Sequence, residues 1–437
     1  ESGARSVAVY STREDAAGAD SLFRVEWSDL PPSSVAAADR PVWVAVSDAA
    51  GITALADGAG PEAALPAVAV LDAVADGADG VDAALVLTNR VLAAVQAWLA
   101  APGLEEARLV VATRGAVGAG ADGAVTDPAG GAVWGLIRAA QTENPDRIVL
   151  LDLDPAAPDD LDTALAAALP LGESQVAVRG TALHVPRLAR TAGEVPGGEP
   201  AFRPDGTVLI TGGTGSLGAL TARHLVARHG VRHLVLAGRR GPDAGGAAEL
   251  AAELEAAGAT VSVVACDVTD REAVAALLAA VPAGHPLTGI VHAARVFDAG
   301  VIGEVDPDRM ARVFAPKVTA VRHLDELSRE LAPELDAFVL MSSASSVFLG
   351  AGTGGYAAAN AYLDAVAHRR RAAGLPGTSL AWGVWAQADG SADGPGQDRS
   401  GRRGVRPLTA EAGTALFDAA LRTGEALLVP GGRGRRA

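Results

Sequence analysis

A chain of 437 residues with 49% hydrophobic side chains, mostly Ala, Val and Leu, holds enough apolar mass for two domains, or one large one, built around small aliphatic groups. Its 52 acids against 36 Lys and Arg leave a net charge of −16, which repels phosphates and disfavours a general nucleic-acid partner. The single cysteine, Cys266, excludes an internal disulfide and a thiolate cluster, and the eight histidines show no ligand spacing, so no structural metal is expected. No charge-free apolar run reaches membrane-spanning length, and the opening ESGARSVAVYSTRED lacks the basic and apolar regions of a signal peptide. A soluble, cytoplasmic protein without membrane contact is predicted, with the basic end GRGRRA as a solvated tail.

In the first part of the chain, residues 22–27, 42–46 and 68–71 read as strands, 82–100 as a long amphipathic helix and 107–113 as a buried strand. After a glycine-rich loop come a helix over 131–143, a strand over 148–153, a helix near 161–169 and strands around Val176 and Leu183. The alternation predicts a parallel sheet. Nothing between its strands and helices would cradle a phosphate, so this part reads as scaffold. TAGEVPGGEPAFRP, residues 191–204, has linker composition and sets a boundary near residue 200.

The stretch GTVLITGGTGSLGALTARHLVARHG, 206–230, reads as a buried strand, a glycine-punctuated turn and a helix with Leu220, Leu225 and Val226 at helical spacing. Gly212, Gly215 and Gly218 stand at GxxGxxG spacing, which removes side chains where a backbone must approach a pyrophosphate seated on the helix N-terminus. In a chain with 52 glycines such a turn can also be only a turn; its context points to a dinucleotide. A second buried strand, 233–237, ends in Gly238-Arg239-Arg240, where a site for NAD would carry an acid. Two guanidiniums there suit a 2′-phosphate and point to NADP(H), against the alternative of a solvated charge pair in a loop. A third strand, 260–266, ends in Asp267-Val268, placed to meet the adenine edge.

Further on, 247–258 and 271–280 read as helices and 289–292 as a strand. A helix over 309–329 carries Met310, Phe314, Lys317, Val321 and Leu324 at three- and four-residue steps, so Lys317 holds an apolar-face position. Such a lysine snorkels or serves a buried acceptor, and from the pattern alone snorkelling is the reading. Pro316 beside it frees the carbonyl of Arg312 and bends the helix. A buried strand, 337–341, runs into Ser342-Ser343, and 356–371 is helical, with Tyr356 and Asn360 four apart on one face. A strand-end hydroxyl and a phenol on the next helix can converge above the C-terminal edge of the sheet, beside the nicotinamide end of a cofactor.

These residues resemble the short-chain dehydrogenase/reductases, and within them the ketoreductase domains of modular type I polyketide synthases, over nearly the whole chain. SLFRVEW, AVWGLIRAAQTENPDRI and SQVAVRGTALHVPRLAR are similar to that family's non-catalytic structural subdomain; TGGTGSLG, GRRG, CDV, VHAA, PKV, MSS and GGYAAANAYLDAVA are similar to its catalytic one. The implied fold is α/β, with two Rossmann-like subdomains: residues 1–200 structural and without cofactor, residues 201–437 catalytic with a doubly wound parallel sheet. YAAAN is the specific element, because these ketoreductases carry asparagine four residues after the tyrosine and supply the lysine from the preceding helix. The resemblance therefore implies that Tyr356 protonates the reduced oxygen, Lys317 favours the tyrosinate and holds the ribose, Ser343 donates to the developing oxyanion and Asn360 orders the site. It implies NADPH held by Gly212, Thr214, Gly215, Ser216, Leu217, Gly218, Arg239, Arg240, Asp267 and Val268. The implied substrate is a β-ketoacyl chain on the phosphopantetheine arm of an acyl carrier protein, with other domains of the same synthase as partners.

Three departures matter. The family's HAAG is here His292-Ala293-Ala294-Arg295, and an arginine in place of a glycine can crowd the nucleotide. The loop that reads LDD in one stereochemical class is Phe297-Asp298-Ala299, and the tryptophan of the other class is Phe348. Relatives lacking these marks include some that no longer reduce and instead epimerise the α-carbon, so a redox-silent epimerase is the alternative reading and a pure scaffold a third. QADGSADGPGQDRSGRRGVR, 387–406, is polar and glycine-rich where the family has a substrate lid, which predicts a mobile lid.

Overall fold

Charge-free runs of Val, Leu, Ile and Ala become central strands because a parallel strand covered on both faces can expose no polar side chain. In the computed structural model, which describes residues 21–30, 41–58, 66–75, 82–120, 123–157, 161–191, 201–348, 350–386 and 405–433, these runs join one 14-stranded sheet. The opening segment, most of the 191–204 linker, the lid over 387–404 and the last residues of the tail lie outside the described residues.

The second half contributes β8 (Thr207–Thr211), β9 (His233–Gly238), β10 (Thr260–Ala265), β11 (Leu287–His292), β12 (Ala337–Ser343), β13 (Thr378–Trp382) and β15 (Leu427–Pro430). Their spatial order is β10-β9-β8-β11-β12-β13-β15, all parallel. Chain order reverses between β8 and β11, and such a reversal opens a crevice at the C-terminal strand ends. The first half contributes β2 (Trp43–Val46), β3 (Val68–Asp72), β4 (Arg108–Arg114), β5 (Ile148–Leu153) and β6 (Gln175–Arg179) in unbroken parallel order, so its topology opens no such crevice. The ends of β4 and β5 are filled instead: buried Asp152 accepts hydrogen bonds from Thr113 Oγ1 at 2.6 Å, the Ala116 amide at 2.9 Å and Arg179 Nη2 at 2.6 Å.

The sequence predicts two sheets; the structure welds them edge to edge. β1 (Leu22–Leu30) pairs antiparallel with β7 (Ala182–Arg190) on one side and with β15 on the other, so both of its backbone edges are hydrogen-bonded. β13, β15 and two helices, α1 (Ala49–Asp57) and α11 (Ala410–Leu421), were not read from the sequence. Between them in chain order run α2 (Ala83–Ala100), α3 (Pro128–Glu143), α4 (Leu161–Ala168), α5 (Ser216–Arg228), α6 (Ala247–Ala256), α7 (Arg271–Ala279), α8 (Pro307–Phe314), α9 (Ala320–Leu331) and α10 (Gly354–Ala372). By length and hydropathy α2 could cross a membrane, yet Val91, Ala94, Val95 and Trp98 are fully buried in the core, the pattern of a core helix. Val405 and Arg406, at the end of the expected lid, form β14, paired with β16 (Gly432–Arg433).

Two helices from opposite halves touch without side chains between them. A Cβ added at Gly131 of α3 would stand 2.7 Å from the Ala365 Cβ of α10, and one at Gly135 would collide with the Ala357 carbonyl and the Ala361 Cβ. Glycine on one helix facing alanine on the other lets the backbones approach closely, and α10 is buried over nearly its whole length as a result. Gly135→Ala is expected to cost about 1–3 kcal/mol through overpacking at this contact. Urea unfolding of the two proteins measures it; an unchanged midpoint rejects the tight contact.

Candidate active site

The glycine turn sits at the reversal crevice. Gly212 has φ +68°, and a Cβ there would lie 2.7 Å from the Ala294 amide nitrogen, so only glycine lets the ends of β8 and β11 meet. Gly215 caps α5 with no side-chain hydrogen bond and no acid in the first turn, which leaves the helix's partial positive charge and amide hydrogens free of an internal anion. A Cβ on Gly218 would strike the Gly212 carbonyl. Thr214, Ser216 and Leu217 line the same turn, and the Thr214 hydroxyl faces Gly238 at the end of β9. Just beyond it Arg239 and Arg240 are exposed. At the end of β10, Asp267 accepts from the Thr269 amide at 3.0 Å and hydroxyl at 2.8 Å, which with the charge of Arg239 holds its carboxyl below the ordinary range, and Val268 is buried beside it. The ten candidate residues thus occupy the C-terminal ends of three adjacent strands, an arrangement that fits a dinucleotide with a 2′-phosphate. Cys266, on the inner side of this edge, is a free, buried thiol.

The second group lies two strands further on, at β12. Met310, Phe314, Val321 and Leu324 are buried as their spacing predicts, and Lys317 with them at 1% exposure. It does not snorkel: Nζ donates to the Met341 carbonyl of β12 at 3.0 Å. Nor is its helix continuous and merely bent. Residues Ala315–Thr319 form a π turn, with the Ala320 amide donating five residues back to Ala315, and this turn rotates Lys317 onto the strand end. The ammonium stands 5.5 Å from the ring centroid of Tyr356. Asn360 Nδ2 donates to the Tyr356 carbonyl at 2.7 Å, while its buried Oδ1 faces no donor among the described residues. Ser343 ends β12, its hydroxyl accepting from the Ser345 amide at 3.3 Å, and the neighbouring Ser342 hydroxyl donates to the Asn360 carbonyl at 3.3 Å. Lys317, Tyr356 and Asn360 are thus linked to one another and to β12, and Ser343 ends the same strand, its hydroxyl turned to the Ser345 amide.

Burial first, and then the charge of Arg295, push Lys317 down to about 7, with Asp364 pulling the other way. Buried His292, bound to Thr211 Oγ1 through Nδ1 at 2.7 Å, is pushed down to about 3 by burial and by Lys317, and so stays neutral. Asp364 was not singled out from the sequence, although it lies four and eight residues after Asn360 and Tyr356 on their face. It is buried, accepts from Ser346 and Ser379, and is pushed upward by burial. Phe297 packs edge-on against Tyr356 with centroids 5.1 Å apart. Asp298 is not presented to the site, because Arg309 grips both its oxygens at 2.6 and 2.9 Å. The histidines, without ligand spacing in the sequence, do meet an acid in space: Asp418 Oδ1 accepts from His224 Nε2 at 2.6 Å and His229 Nε2 at 2.8 Å, tying α11 to α5.

A doubly wound sheet with a glycine turn at its reversal and Ser, Tyr, Lys and Asn two strands away defines a short-chain-dehydrogenase type of architecture. Residues 206–387 match the family model of the KR domain, and residues 25–188 match that of the polyketide synthase extender module SpnB, Rossmann fold domain. Polyketide synthase GfsA of Streptomyces halstedii is 44% identical over 98% of this chain, and the spectinabilin polyketide synthase system protein NorA' of Streptomyces orinoci is 50% identical over 79%. The chain spans only 6% and 9% of the length of these relatives. Among solved structures, an A1-type ketoreductase superposes with a TM-score of 0.85 at 35% identity, covering 96% of this chain and 94% of that one. A C2-type ketoreductase from a modular polyketide synthase gives 0.77 at 34% identity over 94% and 95%. The chain belongs to the ketoreductase domains of modular polyketide synthases.

The lysine makes a stability prediction with a definite sign. Its ordinary value is 10.5 and its folded value about 7, so between these pH values the unfolded lysine is protonated and the folded one neutral. Folding is penalised progressively as pH falls from 10.5 to 7 and by a constant amount below. Lys317→Met is therefore expected to raise the unfolding free energy at pH 7 by roughly 1–3 kcal/mol, with the gain shrinking towards pH 10. Urea unfolding at both pH values tests this; a variant destabilised equally at both is the opposite result.

Proposed function

We propose that this domain reduces the β-keto group of an acyl chain carried as a thioester on the phosphopantetheine arm of an acyl carrier protein, with NADPH as reductant and Tyr356 as proton donor. The observation that carries the proposal is the buried Lys317 ammonium 5.5 Å from the Tyr356 ring, bonded to β12, two strands from the β8 that leads into the glycine turn. A phenol yields its proton at neutral pH only when the phenolate left behind is stabilised, and an adjacent ammonium does this. The Ser343 hydroxyl, at the end of β12, would donate to the carbonyl oxygen as negative charge grows on it. Asn360 fixes the first turn of α10, and with it Tyr356, through its bond to the Tyr356 carbonyl. Gly212 to Gly218 and the amides opening α5 would hold the pyrophosphate, with Arg239 and Arg240 on the 2′-phosphate, and bound NADPH would supply the hydride. In this reading residues 201–437 carry the chemistry, residues 1–200 hold them in place, and further domains of a synthase deliver and remove the acyl chain.

One observation favours a second reading. Arg295 stands where relatives carry glycine, and its charge bears on Lys317. A domain in which that side chain blocks the nucleotide would instead take and return the α-proton of the β-ketoacyl group, epimerising it without reduction.

Mixing the domain with NADPH and a β-ketoacyl thioester is expected to consume cofactor, and Tyr356→Phe to lower kcat by about 10²–10⁴-fold with NADPH affinity unchanged. NADPH bound by Arg295→Gly but not by the parent, together with α-proton exchange by the parent, would reject reduction for epimerisation. Turnover or exchange of either kind rejects a purely structural role.

A further inference from the structure

We infer that Glu143, at the end of α3 in the non-catalytic half, is a positioning residue that sets the gap between the two loops bordering the acyl-binding side of the site; the inference rests on the ketoreductase reading for what passes through that gap. Its carboxylate spans both loops: Oε2 accepts from the Ile302 amide at 2.7 Å and Oε1 from the Gly352 amide at 2.6 Å. The loops also touch each other, the Gly300 amide donating to the Gly352 carbonyl at 2.8 Å and Gly300 pairing with Thr353. One loop carries Phe297, which stands over the Tyr356 ring; the other leads through Thr353, the cap of α10, into the turn holding Tyr356. Fixing the loops fixes how far Phe297 stands from Tyr356.

Nothing local asks for an acid at this place. The last turn of a helix repels a carboxylate, and α3 carries no basic residue there to offset it. What Glu143 gains is tertiary: two backbone donors, the first amide of the short helical turn at Ile302 and the Gly352 amide of the facing loop, satisfied by one charged acceptor. The same half supplies a second hand. Gln96 Nε2 of α2 donates to the carbonyls of Ile302 at 2.9 Å and Val305 at 2.8 Å. The nucleotide turn, on the ends of β8 to β10, makes no contact with Glu143, so an effect confined to the acyl side distinguishes positioning from general weakening.

The test compares the whole domain with Glu143→Ala and Glu143→Gln, by calorimetric binding of a β-ketoacyl pantetheine thioester, by NADPH fluorescence titration and by amide hydrogen exchange. In Glu143→Ala the peptides covering 296–305 and 350–356 should exchange at least about tenfold faster while β8 and α5 do not change. Thioester Kd should rise about tenfold and NADPH Kd stay within about twofold, and Glu143→Gln, which keeps one acceptor oxygen, should recover part of both losses. Unchanged exchange in the two loops overturns the inference. So does equal loss of thioester and NADPH binding, or a lower unfolding midpoint with thioester affinity intact. A parent that binds thioester but never oxidises NADPH defeats the reductase reading alone, since the exchange and thioester measurements do not depend on turnover.

Discussion

The contact between α3 and α10 is the constraint from which the rest follows. α10 carries Tyr356 in its first turn, against Phe297 and Lys317, and Asn360 in its second, bonded to Ser342 through its carbonyl, so both depend on how the helix is packed on its other face. Ala357, Ala361 and Ala365 form that face, too small to reach anything but a helix lying against them. Gly131 and Gly135 supply such a helix by having no side chains at all. The loop before α10 is held to the same helix, Gly350 lying against Ala139 and Gly354 against Leu136. Arg138 extends it by donating from α3 to the Ser346 carbonyl in the turn after Ser343. A helix of the first half is thus in contact with α10, with the loop before it and with the turn after Ser343.

Onto this frame the fold places a costly charge. A lysine without water loses most of the solvation that keeps it protonated, and Lys317 has only one hydrogen-bond acceptor among the described residues, a carbonyl. The nearest compensation is Asp364, itself buried and held by two serine hydroxyls, while Arg295 works against it. His292, the other titratable group at the end of β11, is kept neutral and adds no second positive charge. Burial and Arg295 together thus hold the lysine well below its ordinary value, at the end of the sheet where it donates to a backbone carbonyl.

Much of this could be read from the chain. Most strands of both halves fall where apolar runs end at glycine or polar punctuation, and the GxxGxxG turn after 207–210 lies at the strand-order reversal between β8 and β11. Burial of Met310, Phe314, Val321 and Leu324 follows from spacing alone. What periodicity could not give was the role of Lys317, because a 3.6-residue pattern has no term for the π turn that Pro316 marks, and a lysine on an apolar face reads as snorkelling until the turn rotates it inward. Asp364, Glu143 and the histidine pair on Asp418 escaped for a different reason. Each acts on groups distant in sequence, and a single acid in a helix carries no local sign of its partners. The role of β1 is hidden for the same reason: its residues read as a strand, but nothing in SLFRVEW says that one of its edges belongs to β15, about 400 residues later.

That seam has a further consequence. Two halves of a chain joined by a linker move against each other by default when the surface between them is small and polar. Here β1 is hydrogen-bonded at both edges, to β7 of its own half and to β15 of the other, so rotation at the seam would break a continuous ladder. It would also part the glycines of α3 from the alanines of α10 and expose their apolar surface to water. The two contacts lie on different layers, one in the sheet and one between helices above it, and a hinge that spares one strains the other. A site assembled from three elements of one half is therefore held still by a sheet and a helix of the other, and the absence of a crevice in that half is what leaves its strands and α3 free to be packed solid.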